Sequence, residues 1–248
     1  MIRLIRAEFT KLATTRLIYG LAAGMAAFAV LTVVAGVAYA GREGNPSLTA
    51  YSLPMFVAAP VTLLSGAALV LGILGMTGEF RHQTVTQTFL VTPDRGRVVA
   101  AKLVAYPLAG IALALSILAF TAAVATGWLA AKGITPSLLD AQLGRVLLGA
   151  VLATGLCGLV GVGVAALVRN QVAALVGVAV WVLLVEGLLM SLLHAPSLGK
   201  WLPSAAAAAL TNPGGAGLSR LAGSLLLAGY ALALAAAGTR LVVRRDVT

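Results

Sequence analysis

Charged residues and cysteine are both scarce in this 248-residue sequence. Asp, Glu, Lys and Arg make up 10% of the residues, whereas about 25% is usual in a soluble domain. With 60% hydrophobic residues, the chain has too few polar residues to cover a soluble surface, so the composition predicts a membrane protein. The single cysteine, Cys157, excludes an internal disulfide, and the absence of a Cys/His cluster argues against a metal site.

The common catalytic motifs are also missing. The sequence has no Gly-x-x-x-x-Gly-Lys-[Ser/Thr] loop, so it cannot bind a nucleotide by itself through a P-loop. It also lacks a Gly-x-Ser-x-Gly elbow and an HExxH helix. The two histidines, His82 and His194, are predicted on opposite faces of the membrane. We therefore expect no catalytic residue and no cofactor on this chain.

A formal net charge of +10 is common in nucleic-acid-binding proteins, but the distribution of charge argues against that function here. The basic residues flank apolar stretches instead of forming one patch or stripe. Anionic lipid headgroups and membrane topology account for this arrangement better. We predict membrane lipids, and no nucleic acid, as partners.

Long apolar stretches are abundant. A transmembrane helix needs about 20 apolar residues, and six stretches of the sequence meet this length. They lie near residues 17–40, 54–77, 104–127, 146–168, 172–193 and 221–242. The sequence thus predicts an all-α membrane protein with one transmembrane domain over residues 1–248.

The basic residues are divided unevenly between the two sides that these spans define. Twelve lie on the side of the termini: Arg3, Arg6, Lys11, Arg16, Arg81, Arg95, Arg97, Lys102, Arg169, Arg240, Arg244 and Arg245. Five lie on the other side: Arg42, Lys132, Arg145, Lys200 and Arg220. Because Lys and Arg are enriched on the cytoplasmic side, we predict a multi-pass protein of the plasma membrane with both termini in the cytoplasm.

Residues 1–16 have the pattern of an amphipathic helix. Ile2, Ile5, Phe9 and Leu12 recur at helical spacing, and basic residues occupy the other side. One interpretation is a helix that lies in the membrane interface. The alternative is a positively charged flank that only orients the first span.

The segment 194–220 contains a short apolar run. Leu202–Leu210 is too short to cross a bilayer, and Pro203 lies at its beginning. We predict a short helix that lies at the outer leaflet or dips into it as a re-entrant segment.

The loop at 78–103 is the main polar segment between two spans. We predict a helix over Glu79–Val91, which ends before Pro93 because proline disfavours the α conformation in the preceding residue. A turn at residues 94–97 would then lead into the third span. The loop either docks a partner protein or is a solvated connector that contacts lipid phosphates.

Glu186 is the only charged residue that we place well inside a predicted span. A carboxylate near the membrane core costs about 3 kcal/mol, so such a residue marks either a pathway or a contact between helices. One interpretation is a polar group in a translocation route or a proton-sensitive gate. The other is a hydrogen-bonded carboxyl group that locks helices together.

Three motifs together resemble those of the permease subunits of type-2 ATP-binding-cassette (ABC) transporters, in the bacterial exporter branch. AEFTKLATTRL resembles the amphipathic start of that family, and GKWLPSAAAAAL resembles its Trp-Leu-Pro stretch before the last span. GEFRHQTVTQTFLVTPDRGRVVAAKL resembles the family's loop after the second span. The resemblance extends over the whole chain in the number of spans, loop lengths and orientation.

This resemblance implies a transport subunit that pairs with a second copy or a sister permease and with two separate ATPase subunits, which would hold the ATP and Mg. Glu79–Val91 would be the coupling helix that enters a cleft of the ATPase. Trp201 and Pro203 would belong to an outer gate over the exit path. The implied coupling residues are Glu79, Phe80, Arg81, Thr84, Gln87, Phe89, Arg95 and Arg97.

A different class of function remains open. The chain would then be a non-transporting scaffold, or an immunity protein that senses or sequesters an amphiphilic toxin. Co-purification with an ATP-binding subunit separates the two classes. A solitary secondary transporter ranks third, because Glu186 is the only acidic candidate within the spans for ion coupling.

Overall fold

A computed structural model describes residues 1–42, 53–81, 94–135, 141–193, 199–211 and 217–244. All regular elements in these ranges are helical. Six helices are long and apolar enough to cross a membrane, as predicted. We call them spans 1 to 6: Arg16–Tyr39, Leu53–Arg81, Arg95–Ala131, Ala141–Val168, Gln171–Leu193 and Arg220–Arg244.

Two spans are composite, and the described residues include two further helices that are too short to span. Span 2 consists of Leu53–Ala58 and Val61–Arg81. Span 5 consists of Gln171–Val180, a π-helical turn over Trp181–Val185, and Glu186–Leu193. The additional helices are Ile2–Thr14, here called the N-terminal helix, and Pro203–Thr211, here called the short helix.

Span 3 begins earlier than the sequence predicted. The turn expected at residues 94–97 is wrong, because the helix already starts at Arg95. The Asp94 carboxylate accepts a hydrogen bond from the Arg97 backbone N–H at 3.2 Å and so caps the helix despite Gly96. At 37 residues, span 3 is about 55 Å long, more than the ~30 Å hydrocarbon core.

Span 2 likewise extends further than predicted. Its helix continues through Glu79, Phe80 and Arg81, so these residues end span 2 and do not begin a new helix. Residues 82–91 of the predicted coupling helix lie outside the described residues.

Span 4 lies at the centre of the bundle, against spans 2, 3 and 6. Glycine permits its close approach to span 2. A Cβ atom at Gly72 would collide with the backbone of Gly158, and one at Gly161 would collide with the Leu69 carbonyl. Close contact of small residues replaces the hydrophobic effect as the source of helix association inside a bilayer.

Spans 1 and 5 lie at the periphery of the chain. Only 11% of the most apolar window of each is buried, against 56% for span 2. The spacing of Gly20 and Gly24 suggests helix packing, but both face open space within the described residues. These spans therefore leave apolar faces for lipid or for another chain.

The ends of several helices meet at one end of the bundle, here called the N-terminal end. The Arg81 guanidinium donates to the Gln171 side chain at 3.4 Å. The Arg169 guanidinium donates to the Leu241 carbonyl at 2.6 Å and lies 5.9 Å from the Phe80 ring centre. These contacts join the ends of spans 2, 4, 5 and 6, and the N-terminal helix packs beside them on span 3.

Candidate functional site

The N-terminal helix folds back from span 1 at Thr15. This residue has an extended backbone, and its hydroxyl donates to the Leu12 carbonyl at 2.8 Å. The Tyr19 hydroxyl donates to the Ala13 carbonyl at 2.9 Å, which fixes the same turn from span 1. The N-terminal helix is therefore held in one direction relative to the bundle.

The buried face of this helix differs from the predicted apolar stripe. Ile2 is 83% exposed and Phe9 is 36% exposed, whereas Leu12 is buried. Glu8 is only 4% exposed. The helix thus packs on the bundle through a stripe that contains a carboxylate, and its location at a membrane surface stays a prediction.

Glu8 belongs to a cluster of two carboxylates and two ammonium groups, here called the four-charge cluster: Glu8, Lys11, Glu79 and Lys102. Lys102 Nζ lies 2.9 Å from Glu8 Oε2 and 3.0 Å from Glu79 Oε1. Lys11 Nζ lies 2.8 Å from Glu8 Oε1 and 2.7 Å from Glu79 Oε1. The charges balance, and they connect the N-terminal helix to the end of span 2 and the beginning of span 3.

Lys102 is the most deeply buried member, at 1% exposure. Besides the two carboxylates, its ammonium group donates to the Gly75 carbonyl at 3.0 Å. An ammonium group has three N–H donors, so all three have an acceptor. A buried charge is tolerated only when it is paired and hydrogen-bonded in this way.

Tyr106 completes the site one helical turn after Lys102. Its hydroxyl donates to Glu8 Oε2 at 3.2 Å, and its ring centre lies 5.6 Å from Lys102 Nζ. The ring packs against Gly75, where an added Cβ atom would collide with it. The absence of a side chain at Gly75 therefore makes room for the tyrosine.

The two members of the four-charge cluster that lie on the N-terminal helix, Glu8 and Lys11, have shifted pKa values. Burial alone would raise the pKa of Glu8, but the charges and hydrogen bonds of Lys102 and Lys11 bring it below its usual range. Burial alone would lower the pKa of Lys11, but its hydrogen bonds to Glu79 and Glu8 raise it. Each partner thus favours the charged form of the other at neutral pH.

This arrangement suits a mechanical role better than chemistry. Both oxygens of Glu8 and Oε1 of Glu79 accept hydrogen bonds from donors of the same chain. In the part of the chain that the structure describes, no group of three or more His, Cys, Asp or Glu residues could hold a metal ion. The cluster can transmit force between the N-terminal helix and two spans, because moving one of them separates buried charges.

The predicted coupling residues fall into four groups. Glu79 and Phe80 contact other parts of this chain, through the four-charge cluster and the Arg169 guanidinium respectively. Arg81 and Arg97 are exposed, and Arg97 Nε pairs with Asp94 at 3.0 Å. Arg95 is the half-buried first residue of span 3. Thr84, Gln87 and Phe89 lie outside the described residues.

Glu186 lies at a second polar contact, near the opposite end of the bundle. It is 4% exposed and accepts a hydrogen bond from Trp181 Nε1 at 2.9 Å. Its other oxygen accepts from the Ser204 hydroxyl, in the first turn of the short helix. Of the two interpretations of Glu186, these contacts favour the one in which it joins helices.

The π-helical turn explains how Trp181 reaches Glu186. In an α-helix, residues five apart point in different directions, because 3.6 residues make one turn. The wider π-helical turn joins residues five apart, here through a hydrogen bond from the Glu186 backbone N–H to the Trp181 carbonyl. Both side chains therefore lie on one side of span 5.

The two predicted gate residues begin the short helix. Pro203 is its first residue, a position where the missing N–H of proline costs nothing. Trp201 is 56% exposed, and its carbonyl accepts from the Tyr230 hydroxyl at 2.8 Å, which connects it to span 6. The helix is short, as predicted, and its position as a re-entrant gate stays a prediction.

The sequence did contain a signal for the four-charge cluster. Glu8 falls on the same helical face as Ile5 and Leu12, so the apolar stripe is interrupted by an acid in an otherwise basic segment. Lys102 and Tyr106 are one helical turn apart near the beginning of span 3. The pattern placed Glu8 and Lys102 before predicted spans and Tyr106 inside one, but it could not pair residues 94 positions apart.

No protein-family model and no curated protein sequence matches this chain.

Proposed function

We propose that this protein is the membrane-spanning permease subunit of an ABC exporter, which forms the translocation path and works with separate ATPase subunits. The observation that carries the proposal is the four-charge cluster, beside the predicted coupling segment. Glu79, which ends span 2 at the predicted coupling segment, is bonded to both lysines of the cluster. Force applied to that segment by a partner would therefore reach the N-terminal helix and span 3 together.

The N-terminal end of the bundle is the side on which the partner is proposed to act. Eleven described basic residues belong to helix ends or turns at this end, against five at the opposite end. By the positive-inside rule this end would face the cytoplasm, where ATP is available. The N-terminal helix would then lie at the inner membrane surface, and the short helix would roof the exit path.

The proposed mechanism divides the bundle into a packed part and a peripheral part. Glycine contacts bind spans 2 and 4 closely, so we expect them to move as one body. Spans 1 and 5 are peripheral and would contact the second permease copy or the sister permease. ATP binding would close the ATPase dimer. This closure would push on the coupling segment of each permease and rotate its packed part. The rotation would open the path outward.

The sharpest test is uncoupling by substitution at the proposed contact with the ATPase. The permease is co-purified with the ATP-binding subunit encoded beside it, and transport and ATP hydrolysis are measured in liposomes. Arg81→Glu and Phe89→Asp should weaken retention of the ATPase subunit and abolish stimulated hydrolysis. Membrane insertion should be unchanged, because Arg81 is an exposed residue at the very end of span 2 and Phe89 belongs to the predicted cytoplasmic loop.

A control with the same charge change at the opposite end separates docking from general charge effects. Lys132→Glu alters an exposed residue beyond span 3 and should leave ATPase retention intact. Full retention of the ATPase subunit by both Arg81→Glu and Phe89→Asp would contradict the proposal. A purified chain that binds an amphiphilic toxin but no ATPase would instead support the scaffold or immunity function.

A further inference from the structure

A cleft of about 470 Å³ lies beside the four-charge cluster at the N-terminal end of the bundle. Its accessible apolar wall consists of Leu17 from span 1 and Leu74 from span 2, and the fully buried Leu71 lies behind them. Its polar rim includes Arg81 at the end of span 2 and Gln171 at the start of span 5. The cleft is therefore apolar toward the middle of the bundle and cationic toward its end.

The change from apolar to cationic lining follows a single face of span 2. Leu71, Leu74, Gly78 and Arg81 all line the cleft and recur at helical spacing. Ten residues of helix cover about 15 Å, so the stripe runs from hydrocarbon depth to the level of the headgroups. At Gly78 the surface has no side chain, and a Cβ atom there would meet nothing within 4 Å. The wall is thus open where a ligand would pass along it.

Arg81 is the cation of the rim that is available to a ligand. Lys11 and Lys102, which also line the cleft, are bonded to the carboxylates of the four-charge cluster. The described contact of the Arg81 guanidinium is with the neutral amide of Gln171, at 3.4 Å. An anion at this point would gain a charged partner without displacing one.

We propose that this cleft binds an anionic glycerophospholipid. The phosphate would contact Arg81 and the Gln171 amide, and an acyl chain would lie along Leu74 and Leu17. A phosphate-binding site for a soluble anion needs no apolar wall, whereas a basic pocket between transmembrane helices is typical of a lipid headgroup site. This proposal does not depend on transport or on an ATPase.

The test compares lipids bound to the purified, detergent-solubilised protein by native mass spectrometry. The probes are phosphatidylglycerol, phosphatidylcholine with the same acyl chains, and glycerol phosphate without chains. We expect the wild-type protein to retain phosphatidylglycerol about fivefold more tightly than phosphatidylcholine, since one arginine near the surface contributes about that factor. Glycerol phosphate should not bind or compete.

Two substitutions address the two halves of the cleft. Arg81→Gln should remove the preference for phosphatidylglycerol, and Gly78→Leu should displace both lipids by filling the open wall. Two matched controls are Arg6→Gln, at an exposed arginine of the N-terminal helix, and Gly20→Leu, at an open glycine of span 1. Neither control should change the lipid preference or the amount of lipid bound. Because Arg81 is exposed, its variant is expected to fold and decides the question even if Gly78→Leu does not.

Three results would overturn the proposal. The first is equal retention of the two phospholipids by the wild-type protein. The second is an unchanged lipid preference in Arg81→Gln. The third is competition by glycerol phosphate as strong as that by phosphatidylglycerol, which would indicate a site for a soluble anion.

Discussion

Two buried carboxylates attach short helices to this bundle, and they are held in different ways. Glu8 attaches the N-terminal helix to span 3, and its donors include the ammonium groups of Lys11 and Lys102. Glu186 attaches the short helix to span 5, and its described donors are the neutral indole of Trp181 and the hydroxyl of Ser204. The first contact requires charge, whereas the second requires only hydrogen-bonding shape.

The difference determines what each contact tolerates. Removing one member of a buried ion pair leaves the other charge without compensation, which is more costly than losing a neutral hydrogen bond. A neutral amide can replace Glu186, since its oxygen can accept from Trp181 and its NH2 group can donate to the Ser204 hydroxyl. The same amide cannot compensate the two lysines at Glu8. Substitutions that change charge but keep shape should therefore separate the two sites.

The largest effect is expected for Lys102→Met. It leaves Glu8 and Glu79 buried with Lys11 as the only ammonium group of the cluster, so the free energy of unfolding should fall by about 3–5 kcal/mol. Thermal unfolding of the detergent-solubilised protein, followed by tryptophan fluorescence, measures the loss. Lys132→Met, at an exposed lysine, is the control.

A double substitution sharpens the same prediction. Glu8→Gln with Lys102→Met leaves Glu79 paired with Lys11, so charge balance is restored. The double variant should be more stable than Lys102→Met alone, which is a coupling that independent sites do not show. Additive losses would mean that the cluster is held together by packing and not by charge.

An intermediate effect is expected at Glu186. Glu186→Leu removes the acceptor of the Trp181 N–H and the Ser204 hydroxyl and should lower the free energy of unfolding by about 1–3 kcal/mol. Glu186→Gln should keep most of the stability, and most of the transport if the chain is a transporter. A Glu186→Gln protein that is stable but inactive in transport would instead indicate contact with a cationic substrate or a proton.

The smallest effect is the pH dependence of the N-terminal contact. Because the pKa of Glu8 is lower in the folded protein than its usual value of 4.5, its contribution is present above about pH 4.5 and is lost as the pH falls through the folded-state pKa. The pKa of Lys11 is raised above 10.5, so its contribution is present below that pH and is lost as the pH rises through the folded-state pKa.

The melting temperature between about pH 3 and pH 7 measures the acid limb of this dependence. Glu8→Gln should flatten that limb relative to the wild-type protein. If the melting temperature of the variant falls at low pH as much as that of the wild-type protein, the pH dependence comes from other carboxylates.

Some of the fold follows from the pattern of the sequence because membrane insertion depends on local properties. Six apolar stretches of sufficient length became the six spans, since a helix satisfies its own backbone hydrogen bonds wherever it is placed in a bilayer. Span boundaries were less predictable. Asp94 extends span 3 by capping it, and span 2 carries Glu79 because both lysines of the cluster offset an acid in its last turn.

What the sequence by itself determined is the helical class of the protein and its six helices that are long and apolar enough to cross a membrane. Only the tertiary structure decided which polar residues meet. Glu8 and Lys102 are 94 positions apart, and their pairing depends on how the N-terminal helix turns at Thr15 and on the space that Gly75 leaves for Tyr106. Local patterns set each helix, whereas the packing of one helix on another sets the distance between charges.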